Sequence, residues 1–196
     1  MINQDLCRCP WLDTTKEDYV TYHDEEWGVP VYDDHKLFEF VILESAQAGL
    51  SWYTILKRRE GYKQAFANFD VNIVATFDNA KVEELMHNRA IIRHKLKIKA
   101  AINNAKVFIE IQKEFGRFSH FIWRYVDHTF ADNTLMENNV TSLTNYSATT
   151  ALSDKISYDL KKLGFTFFGS TICYAYLQAC GLINNHSSRC FKNNNR

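Results

Sequence analysis

Glu44 is the residue whose position says most about chemistry. On a helix, at 100° per residue, it lies within about 60° of Leu37, Phe40, Val41 and Ala48, so it belongs to an apolar stripe. An ionised carboxylate buried without a partner costs on the order of several kcal/mol. An internal ion pair or a helix end could compensate it, or a ligand could, and position alone leaves both open. The neighbourhood favours a ligand: Trp52 follows shortly, and Trp11, Tyr22 and Trp27 lie upstream. Flat π faces around a buried carboxylate suit a planar cation.

A second set is Cys9, His23, His186 and Cys190. His186 and Cys190 are four apart, so on a helical turn they face the same way and can share a metal. Joined by Cys9 and His23 they would stitch the two chain ends together and leave no open coordination position, which is a structural role. The spacing fits four unconnected side chains as well, and Cys7 competes with Cys9 as a ligand. Cys173 and Cys180 fall in an apolar helix and read as core.

The third feature is Gly164-Phe165-Thr166-Phe167-Phe168-Gly169 between two helices, the outline of a helix-hairpin-helix unit. Its glycines permit unusual backbone geometry and leave amides of Phe168 and Gly169 bare for a phosphate. Lys155, Lys161 and Lys162 add positive charge just upstream. An ordinary helical hairpin fits the spacing equally well. The run Arg93, His94, Lys95, Lys97 and Lys99 reads first as a solvated helix face, with a second DNA patch as the alternative.

These groups need helices to hold them. Asp34 is expected to cap a central helix over 34–48, apolar on nearly every side and ended by Gly49. Ser51 caps the next, over 52–60; Asp70 and Asp78 cap short helices over 71–77 and 79–88. Ile98, Ala101, Ile102, Ala105, Phe108 and Ile109 give a 3.6-residue stripe to a helix over 92–114, ended by Gly116. Further helices are expected over 118–126, from Ser153 to Leu163 and from Ser170 to Cys180. The N-terminal segment does not look strongly helical. Residues 127–150 look least structured, and the polar tail after Cys190 looks disordered.

With 2 prolines and 7 glycines among 196 residues, an all-β chain rich in tight turns is disfavoured and an all-α fold expected. Formal net charge is zero, so nucleic-acid binding would need a local basic patch. No apolar run is long enough for a membrane span or a secretory signal. Five cysteines, an odd number, read as thiols or ligands and not as a disulfide framework. A cytoplasmic monomer is expected, with no membrane partner.

Three longer stretches carry a family resemblance. Tyr22-His23-Asp24-Glu25-Glu26-Trp27-Gly28-Val29-Pro30, Leu43-Glu44-Ser45-Ala46-Gln47-Ala48-Gly49-Leu50-Ser51-Trp52 and Gly169-Ser170-Thr171-Ile172-Cys173-Tyr174 resemble 3-methyladenine DNA glycosylase I, as does Gln178-Ala179-Cys180-Gly181-Leu182. The resemblance runs from about Cys9 to Cys190. It implies a helix-hairpin-helix fold in which residues 1–190 form one glycosylase domain, its lesion pocket between two helical lobes. It also implies one structural Zn2+ on Cys9, His23, His186 and Cys190. Glu44 matches the family's base-reading glutamate, Tyr22 its pocket tyrosine, Trp52 its stacking tryptophan and Trp11 an aromatic that closes the pocket. The implied substrate is double-stranded DNA bearing alkylated bases, with free 3-methyladenine as product. Gly164, Phe168 and Gly169, with Lys161 and Lys162, would grip the backbone.

The chain departs from relatives in two places. Asn184-Asn185-His186 stands where helix-hairpin-helix glycosylases usually carry an aspartate, which puts a carboxylate near the metal in doubt. No lysine lies between Gly164 and Thr171, so no strand-cleaving lyase activity is expected. Two competing readings are a DNA-binding module without chemistry and a zinc-stabilised protein for a flat small molecule.

Overall fold

A computed structural model describes residues 6–126 and 148–193. Every regular element among them is helical: α1 (Glu17–Glu25), α2 (Asp34–Gln47), α3 (Trp52–Leu56), α4 (Arg59–Ala65), a 3-10 turn (Ala67–Phe69), α5 (Val71–Ala75), α6 (Asn79–His87), α7 (Lys95–Phe115), α8 (Phe118–Trp123), α9 (Ala151–Lys162) and α10 (Ser170–Ala179). No helix among the described residues is long and apolar enough to cross a membrane. Of the segment 127–150, only 148–150 is described, and of the tail 194–196 lies outside. Phe191 and Asn193 are tied in, by Phe191 N–H to Cys7 O (2.9 Å) and Asn193 Nδ2 to His186 O (2.8 Å).

α2 is the axle. Leu37, Phe38, Phe40, Val41, Ile42 and Leu43 are all buried, as a helix apolar on every side must be. It packs against α3, α7, α8 and α10. The expected stripe of α7 is buried from Ile98 to Phe108, with Ile109 half-buried. Phe108 meets Phe38 edge-on (5.2 Å) and stacks on Phe118 at 4.0 Å.

Local capping chemistry sets several boundaries as expected. Ser51 accepts from Thr54 N–H, Asp70 from Asn72 and Ile73 N–H, and Asp78 from Lys81 N–H. Tertiary demands move others. Asp33, not Asp34, caps α2 by accepting from Lys36 N–H (2.9 Å). Asp34 instead caps a different helix, accepting from Phe118 N–H, Ser119 N–H and Gln112 Nε2 at 2.8 Å each. The helix expected over 52–60 breaks into α3 and α4, α7 starts at Lys95 behind a His94 cap, and α8 stops at Trp123. α9 starts at Ala151 because Thr150 and Ser153 form a reciprocal capping box.

α1 is the element the sequence did not announce. It is short, and isolated helices of that length are marginal, so its stability comes from docking. Val20, Tyr22 and His23 are buried against the rest of the chain. Glu26, the residue just after its C-terminal end, joins an ion network: Arg59 grips Glu26 with both terminal nitrogens (2.6 and 2.7 Å) and Glu39 with Nε (2.6 Å), while Lys36 reaches both acids. α1, which carries Tyr22, is thereby tied to α2, which carries Glu44.

Asp34→Ala is expected to cost about 2–3 kcal/mol in urea unfolding, because two buried-end amides of α8 lose their acceptor together. Asp33→Ala should cost about 1 kcal/mol, the usual value for a lone cap. Equal costs would contradict the division of labour between the two aspartates.

Candidate active site

The α2 stripe carries Glu44 inward, where the residue is 3% exposed. Its Oε2 has no hydrogen-bond partner, and among the described residues no ion pair or helix end meets the group. Burial in this apolar setting pushes the carboxyl up to about 8. The group faces a cavity of about 290 Å³ lined by Trp11, Tyr19, Tyr22, Trp27, Glu44, Gln47, Trp52, Ala175 and Gln178. Glu44 is the one acid in that lining among the described residues.

The walls are aromatic and mutually braced. Tyr22 and Trp52 have ring centroids 5.2 Å apart, and Phe40 of α2 stacks behind Trp52 at 6.4 Å. Trp11 packs on Tyr19 at 5.4 Å and edge-on to Trp27 at 4.9 Å. Burial pushes the Tyr22 phenol well above its ordinary pKa, so it stays a neutral hydroxyl. The sequence pointed to Trp11, Tyr22, Glu44 and Trp52, and the structure brings all four together. It adds Tyr19, which sits three residues before Tyr22 on the unannounced α1, and Gln47, three after Glu44 on α2. Ala175 and Gln178 enter from α10, again three apart. Helical spacing from the known members would have found Gln47.

Beside this cavity lie Cys9, His23, His186 and Cys190, all buried, with their ligand atoms within 4.8 Å of one another. Cys7 is exposed and lies outside the group, whereas Cys9 is buried within it. His186 and Cys190 meet through a turn closed by Cys190 N–H to Ser187 O (2.8 Å), not through a helix. Each imidazole has its outer nitrogen engaged. His23 Nδ1 faces Asp24 Oδ1 at 2.8 Å, and Asp24 is held in turn by Arg8 at 2.7 Å. His186 Nε2 faces Trp27 O at 3.2 Å. The inner nitrogens face the two thiols at 3.5 Å, so the four side chains form a group that could hold a metal ion. Asp24 thus supplies the carboxylate that Asn185 cannot. Gly28, at φ +78°, passes so close to this ring that a Cβ would come within 2.8 Å of His186 Nε2.

The two clusters share walls. Trp11 touches His23 at 5.3 Å, and Trp27 touches His186 at 4.6 Å. Pocket geometry therefore depends on what holds the histidines.

The hairpin between α9 and α10 lies across α7. Asn104 pairs with both backbone groups of Thr166 (2.9 Å each), and Asn103 donates to Gly164 O (2.7 Å). Gly164 takes the left-handed backbone expected of it, at φ +106°. Gly169 does not; the second left-handed residue is Phe167 (φ +55°). Gly164 N–H is used by Lys161 O, so it is not bare. Phe168 is buried, and its carbonyl accepts from Ser157 Oγ at 2.9 Å. Lys161 and Lys162 are exposed on the last turn of α9, while Lys155 is paired with Asp159.

Fold and site together define an all-helical protein whose described residues form an aromatic pocket with one acid in its lining. The chain belongs to the methyladenine glycosylase family, whose sequence profile matches residues 11–193. It is 43% identical over 183 residues to DNA-3-methyladenine glycosylase 1 of Escherichia coli (strain K12), covering 93% of this chain and 95% of that one. A crystal structure of a 3-methyladenine DNA glycosylase I superposes with TM-score 0.86 at 43% identity, covering 95% and 99% of the two chains. A structure of the Staphylococcus aureus 3-methyladenine DNA glycosylase I, solved to show 3-methyladenine recognition, superposes with TM-score 0.84 at 33% identity and covers 93% and 94%.

Glu44 makes stability depend on pH in a definite direction. Its native pKa, about 8, lies above the ordinary 4.5, so the folded chain holds a proton that the unfolded chain releases between those values. Stability is full below about pH 4.5 and falls as pH rises towards 8, by up to about 1.4 kcal/mol per unit. Denaturant unfolding at pH 5 to 8 is expected to show this slope in the difference between wild type and Glu44→Gln. Parallel curves for the two proteins would contradict it.

Proposed function

We propose that this chain is a monofunctional DNA glycosylase that flips 3-methyladenine out of alkylated DNA and hydrolyses its N-glycosidic bond. The observation that carries the reading is Glu44: a buried, unpartnered carboxyl facing an aromatic cavity. An N3-methylated adenine in DNA is a flat cation, and the cavity offers it π faces and a carboxyl that can give up its proton. Ordinary adenine, being neutral, forfeits the charge term.

In this reading Trp52 and Tyr22 supply a stacking face and shape to the flipped base, Trp11 closes over it, and Glu44 hydrogen-bonds its edge. The bond from base to sugar then breaks with its electron pair going to the base, which leaves neutral. Water adds to the sugar carbon and loses a proton. Because the lesion's charge already weakens this bond, Glu44 acts mainly in choosing and holding the base. The stretch from Gly164 to Thr171 has no lysine for a Schiff base, so the phosphate backbone stays uncut.

α9 and α10 are read as a helix-hairpin-helix unit on the DNA backbone, with the cavity between two helical lobes of a single domain over residues 1–190. No bond within the described residues engages the amides of Phe168 or Gly169, and α10 has no side-chain cap, so a phosphate can be received there. Lys161 and Lys162 would supply charge despite the neutral total. A cytoplasmic monomer fits this reading.

Cys9, His23, His186 and Cys190 are assigned to one structural Zn2+. In a tetrahedron with Zn–S of about 2.3 Å and Zn–N of about 2.0–2.1 Å, each S···N edge is about 3.5 Å. Three such edges, Cys9 to His186, Cys190 to His186 and Cys190 to His23, measure 3.5 Å. Two thiols and two oriented imidazoles are a zinc donor set with no open position. When bound, the ion would cross-link the chain ends and hold His23 and His186 behind Trp11 and Trp27.

Purified protein incubated with methylated duplex DNA is expected to release free 3-methyladenine without strand cleavage, and Glu44→Gln to do so at least tenfold less efficiently. No released base at high enzyme concentration would overturn the reading in favour of a DNA-binding module. Elemental analysis should find one zinc per chain, and its removal by chelator should lower Tm and weaken 3-methyladenine binding together. Clearly substoichiometric zinc would count against the assignment.

A further inference from the structure

If the chain takes bases out of DNA, it must hold the backbone at the hairpin and the base in the cavity at the same time. α7 touches the hairpin and the end of α2 that leads into the cavity wall. At one level Asn103 and Asn104 bind the hairpin backbone at Gly164 and Thr166. Seven residues earlier, about 10 Å along the helix at 1.5 Å per residue, Lys97 reaches the end of α2 on either side of the cavity residue Gln47. Its Nζ donates to Ala46 O (2.7 Å) and Ala48 O (2.6 Å), carbonyls at the C-terminal end of α2. Those carbonyls lack intrahelical donors, and a cation there also meets the negative end of the helix dipole.

What Lys97 clamps is the rim of the cavity. Gln47 and Trp52 both line the cavity, and residues 48–51 are the only chain between them. The rim has little else to hold it. Gly49 has nothing within 4 Å of where a Cβ would be, Leu50 is 40% exposed, and the local ties are Leu50 N–H to Gln47 O at 2.6 Å and, at the far end, the bonds of Ser51 to Thr54. The neighbours of Lys97 in its basic run are engaged differently. Lys95 pairs with Glu83, His94 caps α7 and lies 5.9 Å from the hairpin's Phe167, and Lys99 is exposed.

We propose that Lys97 is a positioning residue: it fixes the 48–51 rim to α7, so that rim and hairpin move as one body when a base is drawn from DNA into the cavity. The proposal rests on the glycosylase reading for its purpose, but not for its geometry. A phosphate-contacting lysine is the rival role, and its directed contacts argue against it, since both are made to backbone carbonyls within the protein.

Amide hydrogen exchange and single-turnover kinetics separate these roles. In the wild type without DNA, Leu50 N–H should be protected at least a hundredfold; an unprotected amide overturns the proposal however the variants behave. Lys97→Met should raise exchange at Leu50 at least tenfold and slow single-turnover excision from methylated duplex at least tenfold. Affinity for undamaged DNA and its salt dependence should stay unchanged. Lys97→Arg, whose guanidinium can serve two carbonyls, should restore most of both losses. Weaker binding to undamaged DNA with a salt slope reduced by about one would overturn the proposal in favour of a phosphate contact. A lower Tm with unchanged exchange at Leu50 and unchanged rate would reduce Lys97 to a stability role. If the wild type itself releases no base, the glycosylase reading fails, while exchange at Leu50 still decides whether Lys97 holds the rim.

Discussion

The carboxyl of Glu44 sits in a place that water would normally claim, and much of the surrounding architecture is needed to keep water away. α2 is apolar on almost every side, so the stripe that makes it the central helix also takes Glu44 inside. With no cation among the described residues to meet it, the group is pushed towards keeping its proton at neutral pH. In the proposed reading the cost of ionising it serves to discriminate: a cationic ring offsets that cost by charge, and a neutral ring of similar shape does not. Selectivity of this kind requires a dry, rigid cavity, because a water molecule beside Oε2 would substitute for the ligand.

Rigidity comes from outside the cavity. The walls Trp11 and Trp27 lean on His23 and His186, and those rings have their outer nitrogens fixed by Asp24 and by a backbone carbonyl. α1, which brings Tyr19 and Tyr22, is anchored at its end by the Glu26–Arg59–Glu39 network. The rim is held by Lys97 and the hairpin by Asn104. Each support acts at one remove from the base, so each can weaken recognition without touching it.

Features set by local physics could be read from the sequence. The burial of Glu44 follows from helical periodicity, and Asp70, Asp78 and Ser51 cap where a short polar side chain meets a helix start. Features decided by distant partners could not. Asp33 and Asp34 are chemically alike, and only the arrival of α8 chooses Asp34 as its cap. α1 has few apolar residues and weak propensity, so it became visible only once docked. Spacing gave the four Cys and His residues a faint signal, because the chain ends meet only in the fold. Lys97 sat in a charge run that reads as a solvated face, and nothing local shows that it reaches back to α2.

The claim at the centre of this account is that Glu44 is a neutral acid until a cation arrives. Carbon-13 NMR of protein labelled at glutamate, with Glu44→Gln to assign the resonance, measures this directly. The free protein should show a Glu44 midpoint near 8. Saturation with duplex DNA carrying a hydrolysis-resistant, cationic N3-methyladenine nucleotide should move that midpoint down by more than two units. A free-protein midpoint in the ordinary carboxylate range, unmoved by the lesion, would contradict the account.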